Sequence, residues 1–317
     1  MRRFRTYHEV DAEGRGEVSE QVAAQLSRLA RRLETVGAVW LVASGKGGVG
    51  KSAVTANLAA ALARAGLRVG ALDADLNGPS LARMLGAGSG LRVDDDGVHP
   101  ATGAGGVRVV SMDLLLAGDD APLRWRGPGA IDFVSQSALE TGALREFLAD
   151  VTWGELDVLL LDLPPGTDKL HRAYKLIPDV AGVLLVTTPS EAARAVVARS
   201  LRLARELGAD PVGLVANMTA RVCPECGHAE PLYDADGARR LADETGAALW
   251  AEIPFEPALA RETDAGRPPI LGPHDDAITA TTARAESPSA VAALRALARR
   301  VAEATGHDSP TLTTESP

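Results

Sequence analysis

Lysine, cysteine, aromatic residues and long apolar runs are all scarce in this chain. Only four of its 33 cationic residues are lysine, at Lys46, Lys51, Lys169 and Lys175. There are two cysteines, Cys223 and Cys226, which excludes a disulfide framework; in a reducing compartment, thiols this close bind metal or do redox work. No run of about 20 apolar residues is present, and the Met1-Arg2-Arg3 start leads into no apolar signal region, so neither a membrane span nor a secretory leader is expected and the expected location is cytoplasmic. Positive charge is in deficit, with a formal net charge of −9. That argues against broad, sequence-independent binding of nucleic acid, which needs basic surface to displace counterions. At 317 residues with 46% hydrophobic content, one α/β domain with tails fits better than two independent folds.

What the chain does have is concentrated between Val39 and Leu58. The apolar, β-prone run Val39-Trp40-Leu41-Val42 meets a glycine-rich turn that opens into an alanine-rich helical segment. Gly45-Lys46-Gly47-Gly48-Val49-Gly50-Lys51-Ser52 fits G-x-x-x-x-G-K-[ST] at every fixed position, in the strand–loop–helix setting that gives the pattern meaning. Glycines let backbone N–H groups curl round a phosphate, and the helix adds its positive N-terminal end. Lys51 would reach β- and γ-phosphate oxygens of ATP, and the Ser52 hydroxyl would bind Mg²⁺. Two of the four lysines lie in this one loop, where a compact ammonium fits and a planar guanidinium does not. Lys46 resembles the signature lysine of the deviant P-loop ATPases related to MinD/ParA, which crosses to the partner's nucleotide; the resemblance implies a sandwich homodimer.

Downstream, apolar runs end in carboxylates. Arg68–Leu72 leads into Asp73-Ala74-Asp75, where an open parallel sheet binds its ligand; Asp75 would orient the attacking water and Asp73 would reach the magnesium shell. Asp157–Asp162 has the form of a buried parallel strand, with Asp162 placed to hold magnesium through water. The stiff turn that follows includes Gly166, whose backbone N–H would sense the γ-phosphate. A run from Val212 to Ala216 ends at Asn217, whose amide suits an adenine edge or, equally, a turn. About seven strands alternating with helices predict a doubly wound, mainly parallel sheet of the α/β class. The expected organisation is a helical leader over 1–37, the ATPase domain over 38–270, a mobile linker over 271–289, a helix over 290–305 and a disordered tail over 306–317.

Cys223-Pro224-Glu225-Cys226 offers two thiols where four-coordination needs four ligands. A two-fold axis would supply the other pair from a second copy, giving one [4Fe–4S] cluster shared between two subunits. A bridging zinc, a redox dithiol and an inert pair are the other readings of the same motif.

These segments together resemble the Mrp (ApbC-like) iron–sulfur cluster carriers. The likeness rests on GKGGVGKS at 45–52, DADLNGPS at 73–80, WRGP at 125–128, WGELD at 153–157, DLPPGTD at 162–168, TTPSEAA at 187–193, Asn217-Met218 and CPECG at 223–227. It implies a homodimer that binds ATP and a bridging cluster, hydrolyses ATP slowly, and passes the cluster from a scaffold or donor to apo iron–sulfur proteins. The chain departs from the family where Thr167 is followed by Asp168-Lys169. The rival reading is a MinD/ParA-like positioning ATPase without a cluster, which would need a membrane-binding tail or a basic DNA-binding face. The last helix carries Arg295, Arg299 and Arg300, but its apolar side is Ala, Val and Leu without aromatics, so core packing is expected, with no nucleic acid partner and no stable membrane association.

Overall fold

The structure, a computed structural model, describes residues 15–76, 78–88, 90–115, 133–272 and 289–307. The Trp125–Pro128 motif, most of the expected linker, most of the expected tail and the first 14 residues lie outside them.

In chain order the elements are α1 (Arg15–Leu33), β1 (Val36–Ala43), α2 (Lys51–Arg64), β2 (Val69–Asp73), α3 (Leu81–Met84), β3 (Arg92–Asp94), β4 (Gly97–His99), β5 (Ala101–Thr102), β6 (Arg108–Val110) and α4 (Phe133–Asp150). They continue with β7 (Leu156–Asp162), α5 (Thr167–Leu176), β8 (Gly182–Thr187), α6 (Glu191–Glu206), β9 (Val212–Val222), β10 (Ala229–Pro231), α7 (Gly237–Thr245), β11 (Ala248–Phe255), α8 (Pro257–Asp264) and α9 (Ala290–Ala304). Strand β1 starts at Val36, so it runs across the expected 37/38 boundary between leader and domain.

Nine strands form one sheet in the order β10-β9-β8-β1-β7-β2-β6-β5, with β11 also on β9. Its body from β11 to β6 is parallel; β10 and β5 add antiparallel edges. The sequence leads one to expect about seven strands. The surplus is short pieces that alternation cannot signal, and β3 and β4 pair as a hairpin around the acidic turn at Asp94-Asp95-Asp96.

Alternation along β1 builds two cores. Ala38, Trp40 and Val42 face one side, and Val39, Leu41 and Ala43 the other. Helices α2 and α9 fill the first side and α4, α5 and α6 the second, which is the doubly wound arrangement. Helix α2 is buried almost all round, as an apolar, alanine-rich helix must be when layers cover both its flanks. The expected packing of α9 is found, with Leu294, Leu297 and Val301 fully buried. Its start is held twice: the backbone N–H of Ala290 donates to Glu256 Oε1 at 2.6 Å, and that of Ala292 to Ser289 Oγ at 3.4 Å. Gly306 and His307, placed in a disordered tail by composition, instead close the helix through backbone bonds to Glu303 and Ala302.

Candidate functional site

Strand β1 lies centrally, between β7 and β8. The connection from β1 runs through α2 to β2 on one flank, and that from its neighbour β7 runs through α5 to β8 on the other; such a point, at the C-terminal ends of the strands, is where an open α/β sheet opens a crevice for ligand. The loop 44–50 emerges there and runs into α2. Gly50 is left-handed (φ 77°) and no side chain caps the helix, so the first N–H groups of α2 remain turned toward whatever the loop encloses. A Cβ on Gly50 would stand 2.4 Å from Asn217 Nδ2, and one on Gly45 would stand 2.2 Å from Val196 Cγ1 on α6. Both positions demand glycine for close approach, and Gly50 for its left-handed conformation as well.

The centre of the site is Asp162, fully buried at the tip of β7. Its Oδ1 meets Lys51 Nζ at 2.7 Å and accepts from Thr55 Oγ1 at 2.8 Å, while Oδ2 accepts from Ser52 Oγ. Lysine and carboxylate sit in the same dry pocket, where a charge must be paired. Ser52 and Asp162 form an all-oxygen donor pair of the hard kind that suits magnesium, and the ammonium now on Asp162 marks the place as one for a cation.

Asp73, the register neighbour of Asp162 on β2, behaves differently from expectation. Its carboxylate accepts backbone N–H bonds from Asp75 (3.0 Å), Ser80 (2.8 Å) and Leu81 (2.9 Å), with Ser111 Oγ at 3.3 Å. It therefore fastens the loop after β2 and the start of α3. Burial, then the Asp162 charge, push its pKa up to about 7 against those three donors. Asp75 is half-buried in that loop and accepts from the Gly78 backbone at 3.2 Å.

Other expected residues are present with different partners. Lys46 Nζ donates to Ser190 Oγ of its own chain at 3.2 Å. Asn217 is buried and donates through Nδ2 to the Val49 carbonyl at 2.9 Å, so it buttresses the loop. The Gly166 N–H, expected to face phosphate, donates to the Ser44 carbonyl at 2.9 Å. Lys169 pairs with Glu140 on α4. Sequence reasoning missed Thr55 and Ser190; Thr55 is four residues past Lys51, one helical turn, which was a usable signal, whereas nothing local marks Ser190.

The cysteines sit apart, on the turn between β9 and β10. Cys223 N–H donates to the His228 carbonyl and Gly227 N–H to the Cys223 carbonyl, both at 2.9 Å. Cys223 is half-buried and Cys226 exposed, and both are free. Backbone N–H groups of Cys226 and Glu225 aim at the Cys223 sulfur and lower its pKa. Among the described residues no three metal-ligating side chains gather in one place, here or elsewhere. Between the start of α6 and α7 lies a cleft of about 270 Å³, lined by Ser190 and Arg194 and by Tyr233, Asp234 and Arg240. Among the described residues no helix is long and apolar enough to cross a membrane.

Known proteins resemble the chain over most of its length. The family model for ParA-type NUBPL iron-transfer P-loop NTPases matches residues 35–287. The iron-sulfur cluster carrier protein of Saccharolobus solfataricus is 39% identical over 264 residues, covering 83% of this chain and 86% of that protein. A nucleotide-binding protein from Archaeoglobus fulgidus, solved in complex with ADP and with Co present, superposes with a TM-score of 0.65 at 35% identity, over 78% of this chain and 94% of that one. The septum site-determining protein MinD of Pyrococcus horikoshii, complexed with Mg-ADP, has a TM-score of 0.53 at 21% identity, over 85% and 97% of the two chains, and shares the fold.

Proposed function

The chain belongs to the NUBPL-type iron-transfer P-loop NTPases of the ParA group, and from that premise we propose that it is an ATP-dependent iron–sulfur cluster carrier working as a homodimer. The observation that carries this reading is the turn of Cys223 and Cys226: two reachable thiols, one with a lowered pKa, and no third ligand beside them among the described residues. A [4Fe–4S] cargo needs four thiolates, and a second copy related by a two-fold axis brings the missing two.

At the other site, ATP would lie in the 45–52 loop with its phosphates on the N-terminal end of α2. Lys51 would turn from Asp162 to the β- and γ-phosphates. Ser52 and Asp162 would hold magnesium, whose contribution there is to neutralise phosphate charge. Asp75 would orient the attacking water, its loop held in place by Asp73. Lys46 would leave Ser190 and reach the partner's nucleotide. Apo iron–sulfur proteins would receive the cluster, and a scaffold or donor would supply it.

Reconstitution with iron and sulfide under argon tests the proposal. Broad visible absorbance, one cluster per two chains and a doubled mass are expected. A chain that stays colourless, or Cys223→Ala and Cys226→Ala variants that still transfer cluster, would overturn it.

A further inference from the structure

Strand β9 pairs regularly with its parallel neighbours for only part of its length. Its pairing with β8 ends at Ala216. Its pairing with β11 slips once between Leu249 and Ala251, resumes in register to Asn217 opposite Ile253, then slips again, because the next match sets Arg221 opposite Phe255. Four steps on one strand answer two on the other, which is a bulge. Within it sits Met218, the one non-glycine residue with positive φ (58°) among the described residues, a costly conformation for a side chain of this kind. Beyond the bulge β9 pairs through Ala220–Val222 with β10 and delivers Cys223 into the turn.

The near side of the same bulge touches the phosphate loop. Asn217 Nδ2 donates to the Val49 carbonyl. Gly50, the left-handed residue opening α2, is so close that an added Cβ would stand 2.4 Å from Asn217 Nδ2 and 3.2 Å from Met218 Cε. Filling the loop cannot shift Val49 and Gly50 without pressing on Asn217 and Met218, since packed contacts have no slack.

We infer that Asn217 and Met218 are positioning residues that link the phosphate loop to the cysteine turn, with the left-handed Met218 setting the course of the β9–β10 hairpin beyond the bulge. This rests on the carrier reading only for what the turn holds; the mechanical link is independent of cargo. Coupling between two sites is a free energy, and a bistable element biased by both is its physical basis.

The test uses the full chain without cluster. Iodoacetamide alkylation of Cys223 and Cys226 is timed by mass spectrometry with and without saturating ADP. In the unmodified chain ADP should change the rate about fivefold or more. Met218→Gly, which is free to leave the left-handed region, should bind ADP but lose the response. Met218→Asn, which tolerates that region, should keep it. An ADP-insensitive rate in the unmodified chain, a response kept by Met218→Gly, or one lost by Met218→Asn would each overturn the link, and the first of these decides the matter even if Met218→Gly fails to fold. Cluster reconstitution of the unmodified chain is scored separately, so a colourless protein whose thiols still answer ADP would refute the carrier reading and leave the link standing.

Discussion

The two candidate sites of this chain are built on opposite plans. Around Asp162 every strong polar group has a partner from the same chain: Lys51, Ser52 and Thr55 converge on one buried carboxylate, and three backbone donors hold its neighbour Asp73. At the cysteine turn the backbone is bonded, but the two thiols form no disulfide and no further metal-ligating side chain stands beside them among the described residues. A site finished within one chain pays in stability when a piece is removed, whereas a half-finished one loses only its ligand. Four experiments press on that contrast.

The largest effect should come from Lys51→Ala. Loss of a preorganised cation at the phosphates should lower turnover about 100- to 1000-fold, and the stranded Asp162 should cost about 3 kcal/mol of stability. The double variant Lys51→Ala with Asp162→Asn should recover stability in a urea melt without recovering turnover. Normal ATP hydrolysis by Lys51→Ala would remove the site assignment. By contrast, Cys223→Ala should leave the unfolding free energy from the same melt within about 0.5 kcal/mol of the parent, as for surface substitutions generally.

Glycine positions within the loop should separate next. Gly50→Ala forces a left-handed alanine into Asn217, and should cost about 2 kcal/mol. Gly47→Ala, with nothing within 4 Å of the added carbon, should spare the fold and weaken only nucleotide binding. Equal destabilisation by the two would show that the loop is not packed as described.

Acid–base behaviour distinguishes the regions more finely. Because Asp73 is pushed up to about 7, the folded chain keeps a proton there that the unfolded chain releases above about pH 4. That contribution to stability is fully present below about pH 4 and is lost as pH rises through 7. Urea midpoints should therefore decline across this window, and Asp73→Asn should flatten the decline. The smallest effect concerns Cys223, whose pKa is lowered by backbone donors: in a Cys226→Ala chain its alkylation should reach half-maximum below the ordinary thiol range, and a midpoint within or above that range would show that the turn does not activate it.

What could be read from the sequence was whatever is encoded by spacing. The glycine pattern with Lys51 and Ser52, the carboxylates ending β2 and β7, and the cysteine pair all stand at fixed intervals along the chain, and the strand–helix alternation predicted the doubly wound sheet. Contacts between distant segments were not legible. Lys46 meets Ser190 across 144 positions and Asn217 meets Val49 across 168, so the resting partners of both residues depend on how β8 and β9 flank β1. The orientation of Asp73 was hidden for a related reason: its three donors belong to a loop whose course composition does not specify. Strand count erred because β3, β4, β5 and β10 have three residues or fewer, too few for a period to register.

The clasp between Glu256 and the first turn of α9 has a corollary for engineering. The helix is anchored at its own threshold, and the chain at 270–272 is anchored too, by fully buried Ile270 and by Arg64 on the Gly272 carbonyl at 3.1 Å. Each of these two ends is held by contacts of its own, so the terminal helix should keep its seat when a tag or reporter domain is spliced in between them.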